Sequence, residues 1–205
     1  MIWLIHLLTI SLLALLSKIT RSPKLFVNSV FWYSILIFGQ RWMTGEDFPG
    51  YLLYYLVEFN SGFSSFFLIQ NFFSTSGLYF GLFIFIIYTI TLYNTFFVIK
   101  SVNKNLVITV FIYVFLDMYF QQLSQIRQQL AISFYTVAYL YLFRKEYLRA
   151  AILILISVSI HFSAFLAIPF LFIRFEFSKA LGLILIAVTL VLPFINITMF
   201  LPNQI

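Results

Sequence analysis

The chain has 205 residues, of which 63% are hydrophobic and only 9% are charged, and its mean hydropathy is +1.04. This much apolar surface, with 28 phenylalanines, exceeds what a soluble core of this size can bury, so we expect lipid to cover part of it. The composition therefore excludes a soluble globular domain. It predicts an all-α, polytopic integral membrane helical bundle in contact with the lipid bilayer.

The absence of cysteine excludes disulfide bonds and thiolate metal sites, and only two histidines are present. The net charge of +6 would suggest nucleic acid in a soluble protein, but here the basic residues lie in short loops between apolar segments. We therefore expect no metal, no cofactor and no nucleic-acid partner.

Apolar runs between polar breaks predict about seven membrane-spanning helices. In chain order they lie near 2–17, 25–40, 78–99, 105–121, 128–143, 150–173 and 180–201. For 150–173 we prefer one helix to a re-entrant pair. Residues 41–77 are interrupted by glycines and a proline, so we expect an external loop carrying interfacial helices. The chain 1–205 is thus predicted to be a single transmembrane domain.

Lysine and arginine residues are concentrated in three short loops, with three in 18–24, two in 100–104 and three in 144–149. By the positive-inside rule these loops face the cytoplasm. This orientation places the N-terminus outside, together with residues 41–77 and 122–127. The first segment lacks a basic leader and a small-residue cleavage site, so we expect it to remain as an anchor.

The segment QQLSQIRQQ at 121–129 is a polar island between two apolar runs. A charged group near hydrocarbon is costly and is often functional, and the planar guanidinium of Arg127 suits bidentate binding of a phosphate or carboxylate. Arg127 is therefore a candidate anion clamp. The alternative is an interfacial anchor, or a partner for Asp117 ten residues earlier.

A second candidate group lies in RWMTGEDFPGY, where Gly45 and the following Pro49-Gly50 pair predict a turn above the membrane. Its charged residues are Arg41, Glu46 and Asp47, and such a turn can hold a carboxylate, Asp47 in particular, beside the arginine. The alternative is an ordinary acidic external loop.

His161 is the third candidate, in SIHFSAFLAIP. If one helix begins at Arg149, His161 lies roughly 18 Å along its axis, towards the external side. A neutral imidazole there could accept a proton from a hydroxyl or donate to a phosphate oxygen. The alternative is a buried histidine hydrogen-bonded to a neighbouring serine or carbonyl.

Taken in order, GEDFPGY, QIRQQLA and IHFSAFLAIP resemble the EpsG family of bacterial polysaccharide polymerases, which are similar in kind to the Wzy polymerases. The family pattern is an Arg followed by Gly-x-Asp and a Tyr four residues on, then Ile-Arg-Gln-x-x-Ala, then His-x-Ser-Ala and a Pro. Two departures are that Pro49-Gly50 lies inside the Asp-to-Tyr interval and that members usually continue beyond position 205 with further spans. A third hypothesis is therefore that 1–205 is part of a longer family domain.

The resemblance implies an integral-membrane glycosyltransferase that polymerises polyprenyl-diphosphate-linked oligosaccharide repeats into an exopolysaccharide, capsule or O-antigen-type chain. The reaction would take place at the outer face of the bacterial cytoplasmic membrane, alongside other polysaccharide-assembly proteins. The alternative is a non-enzymatic, flippase-like transporter or scaffold of the same machinery.

Within that hypothesis, Arg127 with Arg41 would bind the leaving diphosphate. His161 is the first candidate for the base and Asp47 the second. Three further residues that match the family pattern are expected to support the site: Gln128, Tyr51 and Ser163.

Overall fold

The structure is a computed structural model that describes residues 2–39, 45–57, 64–102, 105–115 and 118–171. Throughout these ranges the secondary structure is helical, with turns and no strand, so the all-α prediction is confirmed. The α-helices are α1 Ile2–Ile19, α2 Pro23–Phe38, α3 Phe48–Leu56, α4 Ser65–Thr75, α5 Phe80–Val102, α6 Leu106–Phe115, α7 Met118–Ser124, α8 Ile126–Phe143 and α9 Tyr147–Ile160. A 3₁₀ helix, Phe162–Leu171, follows α9.

The chain divides into two compact units, 1–168 and 169–205. The helices and cavities discussed below belong to the first unit. The predicted span 180–201 lies outside the described residues.

One described helix, α5, is long and apolar enough to cross a bilayer, with 23 residues and a hydropathy of 2.1. Four shorter apolar helices accompany it: Leu4–Ile19, Pro23–Phe38, Leu106–Phe115 and Tyr147–Ile160. The helices α1, α2, α5 and α8 lie where the sequence predicts spans, with ends shifted by at most three residues. The number of crossings stays a prediction.

Residues 41–77 do carry short helices, since α3 and α4 lie within them and contact each other. Their nine and eleven residues are too few to cross a bilayer. The helical part of the prediction is thus confirmed, and the external position remains a prediction.

The prediction of one helix over 150–173 is wrong, because α9 ends at Ile160 and His161 is extended, with φ −145° and ψ 111°. The Ile160 carbonyl accepts a hydrogen bond from Ser64 Oγ at 2.9 Å instead of continuing the helical ladder. Further along, Pro169 would remove an N–H and clash with the preceding turn of an α-helix. The span predicted at 105–121 is described as α6 and the first turn of α7, and residues 116–117 between them lie outside the described residues.

Two clusters of buried side chains form the core, and α5 contributes to both. The C-terminal half of α5 packs with α1, α2, α6 and α7, whereas its N-terminal half packs with α3, α4, α8 and α9. In the first cluster His6 stacks between the rings of Tyr33 and Tyr119, with centroids 5.1 and 5.0 Å away. The candidate residues belong to the second cluster or border it.

Candidate functional site

A cavity of about 450 Å³ brings two of the three sequence motifs together. It lies between the start of α3, the first turns of α4 and the N-terminus of α8. Its lining residues are Glu46, Asp47, Gly50, Tyr51, Tyr54, Phe67 and Arg127.

Helical periodicity gathers the α3 residues of this cavity. Asp47, Tyr51 and Tyr54 are spaced i, i+4 and i+7, which places them on one face of a helix. Asp47 stands at the N-cap of α3 but makes no side-chain capping bond. Its carboxylate lies close enough to the Tyr51 hydroxyl to raise the pKa of that group.

The Tyr51 hydroxyl remains protonated at neutral pH. Burial raises its pKa to about 12, while Arg127 opposes the rise and Asp47 adds to it. Tyr51 therefore presents a protonated hydroxyl, a potential donor, beside the Asp47 carboxylate.

Gly45 positions this carboxylate near α8. Its φ of +94° favours glycine, and a Cβ at this position would overlap the Leu123 carbonyl in the last turn of α7. The turn before α3 therefore lies directly against the backbone that leads into α8. Only glycine allows this close approach, which brings Asp47 to the same cavity as Arg127.

Arg127 is the second residue of α8, and its guanidinium carbon lies 5.1 Å from the centroid of the Phe67 ring. Its Nε is buried and has no hydrogen-bond partner among the described residues. Within the same ranges no ion pair joins Arg127 to a carboxylate. The guanidinium is therefore held by an aromatic face and stays available to an anion, which the positive end of the α8 dipole also favours.

The register of α8 and α9 places His161 beside Arg127. These helices are joined by a short connection and pack together extensively, and the buried Ser157 Oγ donates to the Ala131 carbonyl at 2.7 Å. Arg127 precedes Ala131 by four residues, and His161 follows Ser157 by four. Because the two helices run antiparallel, four residues back along α8 and four residues forward along α9 lead in the same direction. Arg127 and His161 therefore lie at the same height along the helix pair.

Helix α4 reinforces this arrangement from the other side. Ser65 Oγ lies 3.0 Å from Ser159 Oγ, and the neighbouring Ser64 bonds to the end of α9 as described above. Phe67, two residues further along α4, is the ring against which Arg127 lies. The start of α4 thus connects the end of α9 with the start of α8.

His161 is half-buried and follows the last residue of α9. Burial lowers its pKa, Arg127 lowers it further, and Asp47 acts in the opposite direction. The imidazole is therefore neutral at pH 7. His161 does not line the cavity itself, but Arg127 and Asp47, two of the charged residues that do, act on it electrostatically.

The remaining candidates are not brought to the cavity. Gln128 and Ser163 are exposed and do not line it, so their supporting roles stay predictions. Arg41 and Asp117 lie outside the described residues. The interpretations that depend on them, an assisting guanidinium and a partner for Arg127, stay open.

Two cavity residues were not identified from the sequence. Tyr54 could have been found, because it follows Tyr51 by three residues on the same helical face. Phe67 carries no distinguishing signal among 28 phenylalanines, and only the packing of α4 against α8 and α9 singles it out.

Together these features define an all-helical, strongly apolar protein with an arginine, a carboxylate and an imidazole at one end of a helix pair. The EpsG family profile matches residues 24–205, and the chain belongs to this family. The match includes all three motifs. No curated protein and no solved structure matches the chain. Family membership supports a location in the membrane and a polymerase-like role in polysaccharide biosynthesis.

Proposed function

We propose that this protein is an integral-membrane glycosyltransferase that polymerises polyprenyl-diphosphate-linked oligosaccharide repeats at the outer face of the bacterial cytoplasmic membrane. The observation that carries the proposal is the available guanidinium of Arg127, in one cavity with Asp47 and in register with His161. Family membership supports the same chemistry. The product would be an exopolysaccharide, capsule or O-antigen-type chain.

Arg127 acts on the leaving group. As the bond between the anomeric carbon and the diphosphate oxygen breaks, the electron pair and the growing negative charge move onto the diphosphate. A guanidinium that already stands in place stabilises this charge most when it is greatest. Arg41, on the same motif as Asp47, assists in this role.

A base must accept the proton of the attacking hydroxyl. The hydroxyl oxygen of the acceptor repeat forms the new bond to the anomeric carbon, and its proton passes to the neutral imidazole of His161. Asp47 is the second candidate for the base. Its ionised form also stabilises the positive charge that develops on the sugar ring during transfer.

Replacement of Arg127 tests the proposal. We expect Arg127→Ala to lower polymer formation by about 10²–10³-fold, a loss typical for removal of a preorganised donor at a developing charge. Arg127→Lys keeps the charge but loses the bidentate fork, so we expect a loss of about 10-fold or more. Polymer length on gels and the initial rate of synthesis in washed membranes are the measurements.

Arg144 provides the matched control, because it is an exposed arginine at the C-cap of the same helix. Arg144→Lys should leave synthesis within about twofold of the parent, as expected for an exposed surface change. Normal polymer in both Arg127 variants would refute the proposal.

The location of unpolymerised repeats distinguishes the flippase-like alternative. Loss of a polymerase leaves single lipid-linked repeats outside the membrane, whereas loss of a flippase leaves them inside. Single repeats that accumulate inside in the Arg127→Ala strain would favour the transporter.

A further inference from the structure

A second cavity, also of about 450 Å³, lies in a crevice between α5, α6, α7 and α8. Its polar lining includes Thr95, Gln121, Gln122, Gln129, Ser133 and Thr136. Its other walls are formed by aliphatic side chains, such as Val98 and Ile132, and by the Tyr113 ring. We call it the amide crevice.

Two buried amides in the amide crevice have unused hydrogen-bonding capacity. Gln122 is 5% exposed; its Nε2 donates to Thr95 Oγ1 at 3.3 Å, but its Oε1 is buried without a partner among the described residues. Gln129 is 8% exposed and lines the crevice with its side-chain amide unpaired by the described residues. A buried acceptor left unpaired, such as Gln122 Oε1, is unfavourable for stability. A ligand that pairs with both amides would remove this cost.

The lining also defines what such a ligand would be. None of the described lining residues is charged, so this part of the crevice offers no positive charge to compensate a phosphate. The free Oε1 of Gln122 requires a donor, which a diphosphate lacks, and Gln129 offers both a donor and an acceptor. Hydroxyl groups supply both, and the C–H faces of sugar rings suit the aliphatic and aromatic walls.

The amide crevice and the Arg127 cavity lie on different sides of α8. Gln129, Ser133 and Thr136 are spaced i, i+4 and i+7, which aligns them on one face. At about 100° per residue, Arg127 points roughly 200° away from Gln129. The crevice is thus a separate site on the opposite face of α8.

We propose that the amide crevice binds an uncharged saccharide segment of the second substrate or of the growing chain. This inference rests on the proposed function, because a polymerase must hold two glycans while it cleaves one diphosphate linkage. The Arg127 cavity then recognises the anionic end of the donor. The crevice recognises hydroxyl groups.

Direct binding of a glycan without lipid or phosphate tests this proposal. The probe is an uncharged oligosaccharide of two repeats, prepared from the host's own polymer and free of diphosphate, and the protein is the full chain in phospholipid nanodiscs. We expect saturable binding, with a Kd that Gln129→Leu weakens by about 10-fold because the hydrogen bonds of one amide are lost. Gln122→Leu should weaken binding similarly, and Gln129→Asn, which keeps an amide, should weaken it less.

Gln125→Leu is the matched control, because Gln125 is exposed and makes no side-chain capping bond at the start of the same helix. It should leave the Kd unchanged, and thermal unfolding in the same nanodiscs verifies that every variant is folded. Absence of saturable binding, or a Kd unaffected by either leucine variant, would overturn the proposal. Co-purification of lipid that increases in Gln129→Leu would identify the occupant as a lipid chain and overturn it as well.

Failure of this inference can be separated from failure of the proposed function. Arg127→Ala should strongly lower polymer formation, as stated above, yet keep the Kd for the phosphate-free oligosaccharide. The Arg127 variants could instead make normal polymer and still bind the oligosaccharide. That result would refute the transferase mechanism but not the saccharide site.

Discussion

Among the described residues, no carboxylate forms an ion pair with Arg127. The half-buried guanidinium instead lies against an aromatic face, with an expected contribution of about 0.5–2 kcal/mol, and its buried Nε has no partner among these residues. An unpaired buried donor costs about 1–3 kcal/mol. Binding of an anion would offset that cost, and this property connects the geometry of the site to the proposed chemistry.

The protonation of His161 gives a pH prediction. Its pKa lies below 6.5 because burial and Arg127 both disfavour the imidazolium, with Asp47 opposing them only in part. A base must be neutral to act, so activity should be constant between pH 7 and 8 and should fall as the pH decreases below about 6.5. Initial rates of polymer synthesis in washed membranes across this range are the measurement.

His161→Ala should lower the rate by about 10²–10⁴-fold, the usual contribution of a positioned general base. The remaining activity should no longer fall as the pH decreases below about 6.5, because the imidazole whose protonation causes that fall is absent. If the fall in activity at low pH persists unchanged in His161→Ala, another group causes it. The same comparison with Asp47→Asn then tests the second candidate for the base.

At this scale the sequence identifies the residue types but not their partners. Asp47 and Tyr51 are four residues apart, so their shared face follows from helical periodicity. That Arg127 and His161 lie at the same level depends on the hydrogen bond between Ser157 and Ala131. The short connection between α8 and α9 predicts an antiparallel pair, but it does not fix this register.

The helix elements explain how distant motifs meet. The motif that precedes α3 reaches α8 through backbone contact at Gly45, and the motif that follows α9 reaches α8 through helix packing. Neither connection uses an ion pair between described residues, so the site does not depend on its own charges for assembly. The charges are therefore free to act on a substrate.

Gly45→Ala tests the backbone contact. Alanine at a positive φ costs roughly 1–2 kcal/mol, and its Cβ would also overlap the Leu123 carbonyl, which is backbone and cannot rotate away. We expect a clear loss of thermal stability and at least a 10-fold loss of polymer, because Asp47 would shift away from Arg127.

Gly77→Ala is the control for this prediction, because Gly77 also has a positive φ, +67°, but open space where a Cβ would stand. Only the backbone strain is shared by the two variants. Equal losses of stability and polymer in both would mean that the contact between Gly45 and Leu123 has no role in the site.

Element boundaries were predictable where apolar runs ended at clear signals. Ser22 caps α2 by accepting from the Leu25 N–H, and Pro23 occupies the first turn, as the sequence suggests. The end of α9 at Ile160 was not predictable in this way, because apolar residues continue on both sides of His161. A hydrogen bond from the distant Ser64 accompanies the break, and hydropathy does not contain that information.

At the scale of the whole molecule, α8 separates two cavities with different chemical environments. One face carries Arg127 towards a cavity with carboxylates, and the other carries Gln129 towards a neutral crevice. The apolar run at 128–143 predicts one more spanning helix, because such a run averages over both faces, but the whole of α8 is not among the described helices apolar enough to cross a bilayer. The proposal that α8 serves two different binding sites depends on individual side chains, Arg127 on one face and Gln129 on the other, which an average over the helix does not show.

The orientation of α8 gives a final prediction, and the absence of cysteine makes it directly testable. Its 18 residues span about 27 Å, close to the thickness of a bilayer core, so its two ends should face opposite compartments. Gln125 at one end and Tyr147 just beyond the other are both exposed. In intact cells, a membrane-impermeant maleimide should label Gln125→Cys but reach Tyr147→Cys only after permeabilisation. Labelling in the reverse order would place Arg127 on the cytoplasmic side, where no translocated repeat would be present for it to bind.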